Sequence, residues 1–429
     1  MICGNTHEFT AFRRLVFTAL FATTKKSLIS MMSAALWLCG SGSLQAQTFT
    51  TLHLFGSGGI PQAGLVQGAD GNLYGTTFGY AGKENGMIFK ITPSGSFTTL
   101  HAGGEFGAAL IQGTDGNFYG TSLAGGTLGY GWVFKITPSG TLTTLHNFGP
   151  LPSGTYPSAA LVQATDGNFY GTTKEGGTNS CLYGGTNFGC GTLFKITPSG
   201  TLTTLHNFCS RSGCADGQEP GGLVQGTDGN LYGTTSAGGN AACSGGCGTI
   251  FKITTTGTLT TLHSFRLTDG DNPGAGLIQA IDGNFYGMTY SGGANNSNCR
   301  PGTCGTVFKI TPAGALTTLH NFDYTDGANP IAPLIQASDG NFYGTTGGGG
   351  NCTTFAGGCG TVFNIDPSGT LTTLHSFDKT DGALPTALVQ DTDGIFYGTT
   401  ISGGANAYHA CGGYCGTIFS LSVGLGPVR

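Results

Sequence analysis

The string Asp-Gly-Asn-Leu/Phe-Tyr-Gly recurs along the chain, beginning at Asp70, Asp115, Asp166, Asp228, Asp282 and Asp339. A seventh copy at Asp393 carries Ile395 in place of the asparagine. The copies stand 45, 51, 62, 54, 57 and 54 residues apart, so one unit repeats while a loop inside it changes length. Each unit reads in the same order. A short apolar run such as Leu223-Val224-Gln225 leads into the Asp-Gly-Asn turn and then into Leu231-Tyr232-Gly233-Thr234-Thr235. A glycine-rich loop follows, then Gly248 to Ile253, a Thr-Pro-Ser-Gly-like turn, and Thr258 to Phe265. The four runs are rich in β-branched and aromatic residues, as strands of roughly five to eight residues are. Asp-Gly and Ser-Gly supply the residues that tolerate positive φ in tight hairpins.

Seven units of four antiparallel strands at this period match the blades of an all-β, seven-bladed β-propeller. Linear solenoids compete, but the chain ends favour a ring. The segment Thr48 to Phe55 copies the fourth strand of the unit, and the last unit stops after Gly416 to Leu421, a copy of the third. The N-terminal strand is therefore expected to complete the last blade and leave no open edge.

Residues 1–46 read as a cleaved signal peptide and 47–429 as a single propeller domain. Lys25 and Lys26 precede an apolar run from Leu28 to Leu38, and small and polar residues then lead to Ala46. That order is the pattern of an export signal. Arg13-Arg14 leaves a twin-arginine signal open, translation could also start after residue 24, and Cys39 gives a weaker lipoprotein reading. The remainder carries twelve Lys and Arg against twenty Asp and Glu. Such a mildly acidic chain without basic clusters argues against nucleic acid or anionic lipid as the main partner. It has no apolar run long enough to be a transmembrane segment. The expected location is secreted or periplasmic, at the cell exterior, and the expected state is a monomer.

The pattern Leu-Val-Gln-x-x-Asp-Gly-Asn-x-Tyr-Gly-Thr-Thr, followed by Gly-Thr-x-Phe-Lys-Ile-Thr-Pro-Ser-Gly-x-Leu-Thr-Thr-Leu-His, resembles the GloVer tandem repeat of bacterial exported proteins. The resemblance covers essentially the whole chain after residue 46. Asp-Gly-Asn-x-Tyr-Gly is more loosely similar to the turn of NHL and two-component-regulator propellers. It implies architecture and export but no reaction. Family members can carry a C-terminal surface anchor, and the tail Gly424 to Arg429 does not resemble one.

Twelve cysteines after residue 46 fall into local pairs: Cys181/Cys190, Cys209/Cys214, Cys243/Cys247, Cys299/Cys304, Cys352/Cys359 and Cys411/Cys415. An even number in an exported chain reads as disulfides. Zinc is the rival, because Cys243-x-x-x-Cys247 has ligand spacing. Yet six scattered pairs make no four-ligand site unless loops meet. Five pairs fall between the second and third strands, and Cys209/Cys214 between blades. Closing such short loops is worth about 2–3 kcal/mol each. Their expected role is to stiffen glycine-rich loops.

No residue is assigned a catalytic role. The seven Asp-Gly-Asn aspartates are expected to form turns. The histidines that end each Thr-Thr-Leu-His run, from His53 to His375, are expected to pack or hydrogen-bond on outermost strands. Lys90, Lys135, Lys195, Lys252 and Lys309 are expected to pack by their stems. Length variation and cysteines concentrate on one face, where loops on a rigid scaffold usually bind. There Tyr183, Asn187, Phe188, Tyr408, His409 and Tyr414 are the candidate ligand contacts. No cofactor is expected; Asp323 with Asp326, and Asp378 with Asp381, offer oxygen pairs for Ca²⁺, although two carboxylates are few for that ion.

Two function classes follow. The favoured one is a secreted, non-enzymatic binding or scaffold module that contacts a glycan, peptide or protein ligand through its variable loops. The alternative is a propeller enzyme acting on extracellular polysaccharide or a lactone, with acids or a metal at the channel mouth. Carboxylates or a histidine converging on the axis would favour the second.

Overall fold

A computed structural model describes residues 47–427, apart from 57–58, 80–85, 295–298, 300–303, 353–356 and 405–414. Seven four-stranded antiparallel sheets form the seven blades of a β-propeller. Blade 1 shows the plan. Val66–Gln67 is innermost, followed outward by Leu73–Thr77, Met87–Ile91 and Phe97–Ala102. In the last blade the outermost place is taken by Thr48–Leu54, which pairs with Thr417–Ser422 from the register Thr48↔Ser422 onward. The ring is closed by Thr48–Leu54.

The innermost strands differ from expectation. They are two or three residues long in five blades and reach eight residues only at Gln218–Gln225 and Ala383–Gln390. The cause is position. The residues just before them, such as Gln62, Ala63 and Gly64, lie around the axis instead of pairing, and β-propensity does not report that use.

The repeated motif is explained by packing between blades. Among the described residues, seven hydrophobic clusters fill the seven blade interfaces. The motif tyrosine of one blade meets the Leu/Phe of the next: Tyr74 on Phe118, Tyr119 on Phe169, Tyr232 on Phe285 and Tyr286 on Phe342, each with ring centroids 4.0 Å apart. The glutamine of the innermost strand adds a clasp. Gln112, Gln163, Gln225, Gln279, Gln336 and Gln390 each accept, at 2.8–3.1 Å, a backbone N–H from the preceding blade's turn. At the closure, Gln67 Nε2 donates to Asp391 Oδ1, and the hydroxyl of Thr399 donates to the Ala63 carbonyl at 3.0 Å.

The motif glycine is fixed by close approach. A Cβ built at Gly171 would stand 2.6 Å from Phe194 Cζ and 2.7 Å from Leu161 Cδ2. Such overpacking costs about 1–3 kcal/mol. Gly171→Ala is therefore expected to lower the urea midpoint by that equivalent, and an unchanged midpoint would refute this account of the motif.

In the turn, Asp166 shows why Asp, Asn and Tyr travel together. Its carboxylate accepts from the Asn168 N–H, from Asn168 Nδ2 at 2.9 Å and from Tyr170 Oη at 2.8 Å. Lys195 completes the set with an ammonium 3.0 Å from Asp166 and 5.8 Å from the Tyr170 ring centre. Lys309 repeats this on Asp282 at 2.9 Å, so these two lysines form ion pairs as well as packing by their stems.

Burial, followed by the hydrogen bond to the adjacent carboxylate, raises the ionisation of Tyr74, Tyr119, Tyr170, Tyr232 and Tyr286. The same two causes push Tyr343 up to about 12. At Tyr397 burial is followed by the charge of Asp393. A group with a raised folded value adds stability below its unfolded value near 10, and that stability is lost as pH climbs through the folded one. In a phenolate absorbance titration, seven of the fifteen tyrosines should therefore ionise late, together with alkaline unfolding. One transition of all tyrosines near pH 10 in folded protein would contradict this.

Candidate functional site

The antiparallel order brings the loops between second and third strands, and the links between blades, to one face. On that face, five of the expected cysteine pairs are joined: Cys181–Cys190, Cys209–Cys214, Cys243–Cys247, Cys299–Cys304 and Cys352–Cys359. The sixth expected pair, Cys411 with Cys415, is described at one end only. Cys415 is disulfide-bonded and buried in the core between blades 7 and 1, against Phe55 and Ile418. Its expected partner Cys411, like Tyr408, His409 and Tyr414, lies outside the described residues.

The longest excursion is in blade 3. Thr173 and Thr192 bond hydroxyl to hydroxyl at 2.8 Å at its root. Glu175–Gly176 then pairs with Gly154–Thr155. Leu182–Tyr183 forms a hairpin with Thr186–Asn187 across Gly184-Gly185, both at positive φ, as the tightest hairpin turn demands. The Cys181–Cys190 bond and the Phe188 N–H on the Cys181 carbonyl (3.1 Å) close the base. Opposite it runs the link to blade 4, folded by Cys209–Cys214. There buried Asp216 accepts from Ser210 Oγ at 2.7 Å and from the N–H groups of Ser210 and Arg211.

Between these walls opens a cavity of about 690 Å³. That volume is within the range of small-ligand sites. Tyr183, Phe188, Lys174, Glu175, Gln218 and Glu219 all line it. Tyr183 is 82% exposed, so its ring is free to meet a ligand. Lys174 Nζ stands 3.3 Å from Glu219 Oε2. Burial pushes the Glu175 carboxyl above its ordinary range, Lys174 opposes that shift and the charge of Glu219 adds to it. The site thus offers aromatic surface beside hydrogen-bonding carboxylates, an amide and one ammonium.

Of the candidate contacts, Tyr183 and Phe188 face this cavity together. Asn187 Oδ1 accepts the Gly189 N–H at 3.0 Å within the hairpin. The four candidate calcium aspartates fold their links. Asp326 takes His320 Nε2 at 2.7 Å and the Asp323 N–H at 3.0 Å, while Asp323 Oδ1 accepts from Thr325 and Asp326. Asp381 with His375, and Asp378 with Thr380, repeat the arrangement. Imidazole–carboxylate pairs also join His263 to Asp269 and His206 to Asp216. Three of these pairs have a constant spacing of six residues, a signal present in the sequence but not singled out above.

The axis holds a second cavity of about 280 Å³ with residues from all seven blades around it. Its polar side chains are Gln62, Ser158 and Thr386, and the rest of its described lining is Gly, Ala, Leu, Ile and Pro. Among those described lining residues there is no carboxylate and no imidazole.

The family model for the Gloeobacter/Verrucomicrobia repeat matches residues 41–213 and 180–419. No curated protein matches the chain in sequence. Solved structures with a similar fold include a gluconolactonase from Xanthomonas campestris, at 12% identity and a TM-score of 0.43, covering 90% of this chain and 91% of its own. A luciferin-regenerating enzyme matches at 11% identity and a TM-score of 0.44, over 90% and 99% of the two chains. TolB from Acinetobacter baumannii matches at 13% identity and a TM-score of 0.40, over 73% and 62%.

Proposed function

The chain belongs to the Gloeobacter/Verrucomicrobia repeat family, and we propose that it is an exported, non-catalytic glycan-binding module whose ligand docks on the loop face of blades 3 and 4. The observation that carries this reading is the cavity between the 174–190 excursion and the 209–219 link, where Tyr183 and Phe188 stand beside Glu175, Gln218 and Glu219. Sugar rings present apolar C–H faces to aromatic side chains and hydroxyls to carboxylates and amides, and this site offers both. Disulfide-held walls lower the ordering cost of binding. The surroundings point the same way. Of the five exposed aromatic residues among those described, Tyr130, Tyr156, Tyr183 and Phe188 lie on the loops of blades 2 and 3. The single ammonium in the cavity is already paired, which suits a neutral glycan better than a phosphate.

The second reading is a lactone or polysaccharide enzyme with acids or a metal at the channel mouth. The test is a screen of the purified protein on immobilised glycans, with lactone and polysaccharide hydrolysis assayed alongside. Retention of a glycan without turnover is expected. Turnover would put the enzyme in its place, and retention of none would remove the glycan reading.

A further inference from the structure

Two disulfides from different repeats meet behind the cavity. Cys181–Cys190 closes the hairpin of blade 3, and Cys209–Cys214 closes the link to blade 4. The sulfur atoms of Cys181, Cys209 and Cys214 all lie within 4.8 Å of one another. Cys190 is bonded to the first of them. Three sulfurs from two separate segments thus share one small volume, and the fourth is one bond away. In a tetrahedral thiolate site with metal–sulfur bonds of about 2.3 Å, the sulfurs stand roughly 3.8 Å apart. Cys181 Sγ thus stands within 4.8 Å of both sulfurs of the Cys209–Cys214 bond, and breaking that bond lets its two sulfurs part to the thiolate spacing.

The surroundings fit a soft cation. Cys190 is buried in the core formed by Tyr170, Leu193, Phe208 and Leu231, with Cys181 and Cys209 packed against it. That side excludes bulk water. Cys181 and Cys214 line the cavity on the other side, which gives an ion a path of entry. Glu175 and Glu219 at the same cavity attract cations, while Lys174 offsets part of the charge of four thiolates.

We propose that, once both disulfides are reduced, Cys181, Cys190, Cys209 and Cys214 bind one soft divalent cation of the zinc class as four thiolates. The disulfides close each segment on itself, whereas the ion ties the two segments to each other. The conversion is balanced. A dithiol or phosphine reductant gives two electrons to each disulfide, both S–S bonds break, and four thiols form with protons from the reductant or water. Metal binding then releases those four protons. A second sulfur cluster among the described residues, Cys243, Cys247 and Asp271, has one cysteine pair only and serves as an internal comparison.

The test is a Co²⁺ titration of the purified protein, reduced with a phosphine under inert gas and followed by visible absorption and circular dichroism. The expected result is a tetrathiolate spectrum that saturates at one equivalent and is displaced by one equivalent of Zn²⁺. The signal should fall at least tenfold in Cys209→Ser/Cys214→Ser and persist in Cys243→Ser/Cys247→Ser. No such spectrum in the reduced protein, or its retention in Cys209→Ser/Cys214→Ser, overturns the proposal. Zn²⁺ should also raise the melting temperature of the reduced wild type by several degrees, and an unchanged value overturns it equally. That readout needs no variant to fold.

Discussion

Removal of residues 47–56 is expected to lower the melting temperature by about 5–10 °C and to make the protein associate as its concentration rises. The closing strand contributes Phe49, which stacks on His375 at 3.9 Å and on Phe419 at 5.2 Å, and Leu52 and Phe55, which enter the core between blades 7 and 1. Burying such side chains is worth about 1.5–3 kcal/mol each, so their joint loss is of order 6 kcal/mol. That is a large part of the stability of an ordinary domain, and for a chain of this size it corresponds to a shift of the stated order. The deletion also strips the outer edge of Thr417–Ser422, and an unpaired edge recruits other chains. Differential scanning calorimetry and sedimentation would check both effects. A melting temperature within 1 °C of wild type, with no association, would contradict closure by this strand.

The second large effect concerns binding. Tyr183→Ala/Phe188→Ala is expected to weaken retention of the best glycan at least tenfold, the equivalent of about 1.4 kcal/mol. The melting temperature should stay near wild type. Tyr183 is 82% and Phe188 41% exposed, and substitutions at such positions usually move stability by less than about 0.5 kcal/mol. Titration calorimetry measures the first quantity and thermal unfolding the second. Full affinity in the double variant would mean that the aromatic pair does not touch the ligand.

The architecture was legible because each repeat writes it again. Asp, Asn, Tyr and Gly at fixed spacing encode a turn, an interblade ring contact and a close approach, and the displaced Thr48–Phe55 copy encodes the closure. The pairing of near cysteines was legible for the same local reason. The cavity was only half legible. Tyr183 and Phe188 stand out as aromatics in a long insert, but Gln218 and Glu219 come from the next repeat, and nothing periodic relates the two. Their meeting depends on how the Cys209–Cys214 link turns back, with Glu219 N–H donating to the Cys190 carbonyl at 2.9 Å. Asn187 has a local role that the sequence does not show. Its amide oxygen is consumed within the hairpin, a use that residue type alone does not distinguish from a ligand contact. The imidazole–carboxylate pairs show the converse: their spacing is regular in blades 4, 5 and 6, while in blade 3 the Cys209–Cys214 insertion stretches it from six residues to ten.

Amide hydrogen exchange with and without a saturating oligosaccharide from the glycan screen tests the central claim most directly. Protection is expected in 174–190 and 209–219, the two walls of the cavity, with the turn face unchanged. Protection confined to the axis segments around Gln62, Ser158 and Thr386, or to the Asp-Gly-Asn turns, would contradict the placement of the ligand on the disulfide-pinned loops.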